Sequence, residues 1–250
     1  MKNLTLENIA RVCGGTYYGP ADKLQEEVMS VITDSRKAEE GCLFVPIVGE
    51  RVDAHKFIPQ VMEAGALATL SERVLDNADF PYIAVESSLQ AVKDIAEFYL
   101  KQLQIPVVGI TGSVGKTTTR EMISTVLASQ KKVFQTIGNQ NSQIGVPLTL
   151  SHLTREDEIA VLEIGMSERG QIEKLTNMIR PNVAVVTMIG VSHIAQLKTQ
   201  ENICLEKMDI VKGLPEDGMV FLNGDDKFLA PYRGKLSHKT FFYGMDKACD

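Results

Sequence analysis

The chain has 250 residues, more than the usual single domain of about 100–150, so its length favours two domains or one large α/β unit. Hydrophobic residues make up 44% and charged residues 23%, which excludes disordered, collagen-like and disulfide-scaffold chains. With 26 Lys+Arg against 32 Asp+Glu the formal net charge is −6, so bulk charge offers no footprint for nucleic acid or an anionic membrane, and an anionic ligand has to be held locally.

From Thr5 to Cys13 the apolar residues fall at helical spacing, and Gly14-Gly15 ends the pattern as a C-cap does. Val28 to Ile32 and Cys42 to Val48 read as strands. After the loop 49–55, a helix through Phe57, Ile58, Val61 and Met62 leads at Gly65 into the run Ala66 to Leu70. This is the rhythm of a small α/β domain. The polar stretch 76–81 precedes a strand, Tyr82 to Val85, and a helix, Leu89 to Leu103. The domain boundary is expected here, giving domains 1–84 and 85–250. Beyond Pro106 come short, near-continuous apolar runs, Val107 to Ile110, Ile159 to Leu162, Val183 to Val186 and Met219 to Leu222, with a further strand at Thr240 to Tyr243. Such runs suit strands buried on both faces of a parallel sheet. Helical segments separate them, such as Glu121 to Gln130 with a stripe of Met122, Ile123, Val126 and Leu127, so the second domain is expected to be α/β and doubly wound.

Cys13, Cys42, Cys204 and Cys249 lie far apart with no C-x-x-C pair, which argues against a zinc site and fits a reducing, cytoplasmic setting. The N-terminus meets Glu7 before an apolar signal region develops, and no apolar run approaches the length of a membrane span.

The strongest motif is Gly112-Ser113-Val114-Gly115-Lys116-Thr117, placed after one expected strand and before a helix, as a phosphate-binding loop requires. Its glycines let backbone N–H groups curl around phosphate oxygens. The helix N-terminus adds positive potential, Lys116 reaches terminal phosphates and the Thr117 hydroxyl suits Mg²⁺. Ile110 stands where the strict pattern has its first glycine.

Ligands of open α/β sheets bind at the carboxyl ends of strands, which singles out three positions. Glu163 follows Ile159 to Leu162 and suits Mg²⁺, the alternative being a carboxylate facing solvent. His193 follows Val183 to Gly190; a lone histidine is more often structural. Asn223 and Asp225, in Asn223-Gly224-Asp225-Asp226, suit a ribose or base, although turn chemistry explains them equally well.

The chain resembles the Mur ligases of bacterial cell-wall synthesis. The resemblance is carried by Thr33-Asp34-Ser35-Arg36 with Gly41 to Val45, Gly49 to His55, Thr111 to Thr117, Gly138 to Asn141 with Ile144 to Pro147, Glu163 to Met166, Gly190 to His193, and Gly213 to Pro215 with Asn223 to Asp226. These segments occur in the family's order from end to end of the chain. The resemblance implies an N-terminal domain that holds a UDP-sugar, a central ATPase domain and a third, closing domain. The end at Asp250 leads to the expectation that the last part of the central domain and the third domain are missing.

Carried over by position, Lys116 resembles the lysine on the β- and γ-phosphates, with Gly112 to Thr118 around the nucleotide. Thr117, Glu163 and His193 resemble metal-site residues, and Lys207 sits where the family carries a carbamylated lysine. From the residues alone, Lys207 reads as a solvated helix face. Ser35, Arg36, Glu50 and Arg51 resemble the segments lining the uridine and diphosphate. Departures from the family pattern are Met188 for an asparagine, Ala195 within the histidine loop, Lys198 for a glycine, and Ser142-Gln143 for Asn and an acidic residue.

The implied reaction is ATP-dependent amide-bond formation, in which a peptide carboxylate on UDP-N-acetylmuramoyl-tripeptide is phosphorylated and the amine of D-alanyl-D-alanine displaces phosphate. Lys116, Lys207 and His193 are the expected catalytic residues, ATP and Mg²⁺ the expected cofactors, and a monomer the expected state. The 250 residues by themselves are expected to bind ATP without forming the peptide bond. Two alternatives from other classes are a non-catalytic relative that binds nucleotide or UDP-peptide, and an unrelated P-loop kinase or GTPase, which the N-terminal segments disfavour.

Overall fold

The computed structural model describes residues 1, 3–49, 52–245 and 249–250, which divide into two compact units. The first comprises Met1–Gln102 with Leu150–Thr154. Its elements are α1 (Leu6–Val12), β1 (Thr16–Tyr18), β2 (Val31–Ile32), β3 (Leu43–Phe44), α2 (Ile58–Glu63), β4 (Ala68–Ser71), β5 (Tyr82–Ala84) and α3 (Ser88–Leu103). The Thr5 hydroxyl caps α1 by accepting from Asn8 N. The sheet runs β1-β5-β4-β3-β2, with only the β1–β5 pair antiparallel. One face buries Ile32, Cys42 and Phe44 against Ile58, Val61 and Ala66.

Two expected strands are shorter than their apolar runs. Val45 N still donates to Ile32 O at 2.8 Å, but the next residue is Pro46, which has no N–H for a ladder, so β3 stops. The division between units falls after Gln102, whereas composition put it near residue 84. The reason is α3, which buries Ala91, Val92, Ile95, Ala96 and Tyr99 and ties itself to the first unit. Ser88 N donates to Glu72 Oε1 at 2.7 Å and the Tyr99 hydroxyl to Leu153 O at 2.8 Å.

The second unit comprises Leu103–Thr149 and Arg155–Asp250. It contains β6 (Val107–Thr111), α4 (Lys116–Leu127), β7 (Val133–Gln135), α5 (Gly145–Leu150, whose last residue groups with the first unit), β8 (Ile159–Glu163), α6 (Gln171–Ile179), β9 (Val183–Val186), α7 (Ile194–Leu197), α8 (Gln200–Met208), β10 (Met219–Asn223) and β11 (Lys239–Tyr243). The sheet order is β11-β10-β9-β6-β8-β7, parallel throughout. From β6 the chain goes out to the edge as β7, returns to insert β8 between them, and then crosses to the other side of β6 to add β9, β10 and β11 in turn, which is the doubly wound α/β arrangement that the apolar runs predict. The switch of direction beside β6 opens a crevice at the carboxyl ends of β6, β8 and β9. The edge strand β7 has no apolar run of its own and is only half-buried, so its sequence carries no strand signal.

Helix α4 keeps half of its expected stripe, since Ile123 and Leu127 pack against Val108, Ile110, Val161 and Val185 of the sheet. Met122 and Val126 are 66% and 72% exposed, while Arg120 and Ser124 are buried. Beside those two apolar residues the helix therefore turns Arg120 and Ser124 inward, with Arg120 towards the carboxyl end of β8. Among the described residues no helix is long and apolar enough to cross a membrane, and Cys13, Cys42, Cys204 and Cys249 are free thiols.

Candidate nucleotide and metal site

The phosphate loop joins β6 to α4 at the crevice. Gly112 has φ +152°, and a Cβ there would lie 1.8 Å from Thr187 Oγ1, so only glycine fits against β9. Gly115, in the left-handed region, is the N-cap of α4. The loop is pinned from the β9 side: Ser113 N donates to Met188 O at 2.8 Å and the Thr187 hydroxyl to Val114 O at 2.6 Å. The N–H groups that open α4 have no acceptor four residues back within the helix and face the loop as donors. Lys116 Nζ folds back to donate to Gly112 O at 2.8 Å.

A cavity of about 220 Å³ lies over this loop, lined by Gly112, Ser113 and Lys116, by Asn141 and Ser142, by Gly165 to Ser167 with Gln171, and by Ser192, His193 and Lys207. Three nitrogen bases face it. Lys207, far from being a solvated helix face, is 2% exposed and makes no ion pair among the described residues. Burial, reinforced by the Lys116 charge and opposed by Glu206, pushes its ammonium down to about 8. Burial also lowers Lys116, against the pull of Glu163. His193 is lowered by partial burial and then by the charges of Lys207 and Lys116.

Glu163 ends β8 and is buried rather than facing solvent, with 1% exposure. Its N–H donates to Thr136 Oγ1 at 2.8 Å, Asn141 Nδ2 approaches Oε2 at 3.4 Å and Arg120 Nη1 lies 3.0 Å from Oε1. Oε1 nevertheless has no aligned hydrogen-bond donor among the described residues. Those residues contain no cluster of three or more His, Cys, Asp or Glu side chains able to cage a metal. A single carboxylate with spare acceptor capacity beside a phosphate loop is the donor set that suits Mg²⁺, which takes the rest of its oxygens from water and phosphate.

The structure thus brings Gly112, Ser113, Lys116, His193 and Lys207 around one cavity. Val114, Gly115, Thr117 and Thr118 belong to the loop and the start of α4 without lining that cavity, and Thr117 and Thr118 are exposed. Asn223 and Asp225 form a turn after β10 instead of lining the cavity. Asn223 Oδ1 accepts from Asp225 N, and Asp225 Oδ2 from Met245 N. Their neighbour Asp226 accepts from Ile189 N at 2.7 Å, fixing the loop after β9. In the first unit, Ser35 and Arg36 lie in a short turn capped by Asp34, whose carboxyl Arg36 holds down to about 2. Glu50 and Arg51 lie outside the described residues.

Sequence reasoning did not single out Arg120, Gln171, Ser192 or Glu206. Glu206 is buried, its Oε2 accepting from Gly170 N at 2.8 Å and its Oε1 from Ile172 N at 3.1 Å at the start of α6. No local pattern reveals such roles. The structure shows what surrounds three of the departures from the family pattern. Met188 holds the loop through its carbonyl, which any residue supplies. Ser142 Oγ accepts from Gly145 N at 3.1 Å at the start of α5, and Lys198 occupies a positive-φ position.

The Mur ligase middle-domain family matches residues 110–250, more than half of the chain. The UDP-N-acetylmuramoyl-tripeptide--D-alanyl-D-alanine ligase of Bacillus subtilis is 43% identical over 96% of this chain and 52% of its own length. The crystal structure of MurF from Acinetobacter baumannii superposes with a TM-score of 0.90 at 31% identity, over 96% of this chain and 53% of that one. MurF ligase from Thermotoga maritima in complex with ADP does so with a TM-score of 0.79 at 35% identity, over 86% and 50%. The chain spans about half the length of these relatives. The family match covers the phosphate loop, Glu163, His193 and Lys207 together, and the chain belongs to the Mur ligase family.

Proposed function

We propose that this chain carries the nucleotide and UDP-peptide sites of an ATP-dependent ligase that joins D-alanyl-D-alanine to UDP-N-acetylmuramoyl-tripeptide. The observation that supports it most is the convergence of the phosphate loop, Lys116, His193 and Lys207 on one cavity at the sheet's switch point. The names of the Bacillus subtilis and Acinetobacter baumannii relatives supply the substrates. The ADP complex of the Thermotoga maritima relative supports the nucleotide.

In this reading the loop N–H groups and Lys116 hold the β- and γ-phosphates of ATP and stabilise charge on the transferred phosphoryl group. Lys116 exchanges its hydrogen bond to Gly112 O for phosphate oxygens. Glu163, Thr117, His193 and a carbamylated Lys207 would hold Mg²⁺, which supplies charge neutralisation between the phosphates when bound. Lys207 suits carbamylation because its lowered pKa leaves much of the amine neutral and nucleophilic near pH 8. The peptide carboxylate takes the γ-phosphoryl group and ADP leaves. The amine of D-alanyl-D-alanine then attacks the acyl phosphate, forming the amide and releasing phosphate. The first unit, with Ser35, Arg36, Glu50 and Arg51, binds the UDP moiety. The ATP dependence and the free thiols support action in the cytoplasm, and a monomer is part of the same reading.

Calorimetry tests the assignment. The chain should bind Mg-ATP and UDP-N-acetylmuramoyl-tripeptide, and Lys116→Ala should lose the first and keep the second. A folded chain that binds neither rejects the reading.

A further inference from the structure

Arg120, on the inward side of α4, is 5% exposed, and burying a guanidinium is costly unless its N–H groups are satisfied. Its Nη1 donates to Thr136 O at 2.9 Å and to Gly138 O at 3.2 Å and Nη2 donates to Glu121 Oε1, while Nε has no partner among the described residues. Glu163 Oε1 lies 3.0 Å from the same Nη1, yet both Nη1 hydrogens are directed at the two carbonyls. An ordinary structural salt bridge would turn the guanidinium fork onto the carboxylate through two parallel N–H···O bonds. Here the fork grips the backbone after β7, and Glu163 receives the counter-charge while keeping the lone pairs of Oε1 unclaimed among the described residues.

Thr136 belongs to the same grip, since its hydroxyl accepts from Glu163 N. Arg120 therefore links three things: the helix that starts from the phosphate loop, the segment 136–138 that leads to the cavity residue Asn141, and the carboxylate at the end of β8. Resting on the reading of Glu163 as the metal carboxylate, we infer that Arg120 is a positioning residue that sets the strength of Mg²⁺ binding in the nucleotide complex. It does so by holding Glu163 in place and charge-balanced with its acceptor capacity intact. It touches neither nucleotide nor metal.

The test is to titrate the protein with ADP, in EDTA and in Mg²⁺, for wild type, Glu163→Gln, Arg120→Met and Arg120→Lys. Wild type should bind ADP more tightly with Mg²⁺, and Glu163→Gln should abolish that gain. Arg120→Met should reduce apparent Mg²⁺ affinity tenfold or more, the range for residues that orient a metal ligand, with ADP affinity in EDTA unchanged. Arg120→Lys restores charge without the two-carbonyl grip and should fall between. A purely structural role would lower stability and weaken both titrations alike. A Mg²⁺ gain that survives Glu163→Gln overturns the metal reading and the inference together. A gain lost in Glu163→Gln but intact in Arg120→Met overturns the inference alone. Should Arg120→Met not fold, wild-type Mg²⁺ dependence in Arg120→Lys overturns it equally.

Discussion

Glu206 and Lys207 are consecutive buried residues of opposite charge on α8, yet Glu206 commits both carboxylate oxygens to the start of α6, at Gly170 N and Ile172 N. Lys207 is left facing the cavity without a counter-ion of its own among the described residues. Replacing Glu206 by Ala should strand two backbone donors and cost about 1–3 kcal/mol of stability, with Glu206→Gln losing less because one acceptor remains. Urea denaturation measures both. An alanine variant as stable as wild type would mean that α6 needs no cap from α8.

The lone Lys207 leads to a prediction about pH. A lysine lowered to about 8 is half neutral near that pH, whereas an ordinary lysine is almost fully charged there. Carbamate formation joins neutral amine to CO₂ and releases a proton. At fixed CO₂ concentration the adduct should therefore grow as pH rises from about 7 to 9. Carbon-13 NMR in labelled bicarbonate follows it. The signal should vanish in Lys207→Ala, and its persistence there would assign the adduct to another amine.

Lys198 is the central residue of a γ-turn: Thr199 N donates to Leu197 O at 3.0 Å, and Lys198 has φ +74° and ψ −42°. This conformation is rare and strained for a residue with a side chain. Glycine carries no Cβ penalty, so Lys198→Gly should stabilise the chain by about 1 kcal/mol despite its greater freedom when unfolded. A lower urea midpoint in the variant would refute this.

Gly112→Ala should do the opposite. The new methyl meets the Thr187 hydroxyl, which already supports Val114, and the loop must move away from β9. ATP binding should fall below detection by calorimetry. Thr187→Ala in the same chain should restore it only in part, because φ +152° remains unfavourable for alanine. Full restoration would reduce the role of Gly112 to mere space.

The parallel strands of the second unit were legible because burial on both faces leaves an uninterrupted apolar run, as in Val183 to Val186. Val133 to Gln135 gives no such run because it lies at the edge. The phosphate loop was legible because glycine spacing and backbone geometry are locally encoded. Arg120 and Lys207 were not, since a charged residue on a helix reads as solvent-facing until the tertiary fold turns that side inward. Met122 and Val126 show the same limit from the other direction, being apolar residues that the fold leaves exposed.

The hydrogen bond from Lys116 to Gly112 O bears on how fast nucleotide is captured. The loop backbone is already fixed by Met188 and Thr187, so an arriving phosphate needs only one side chain to rotate, a picosecond-to-nanosecond event. No ordering step delays the encounter. Association is then governed by diffusion and by the attraction of Lys116 and the N-terminus of α4 for an anion, so its rate constant should decline with added salt while the bound loop stays as it was.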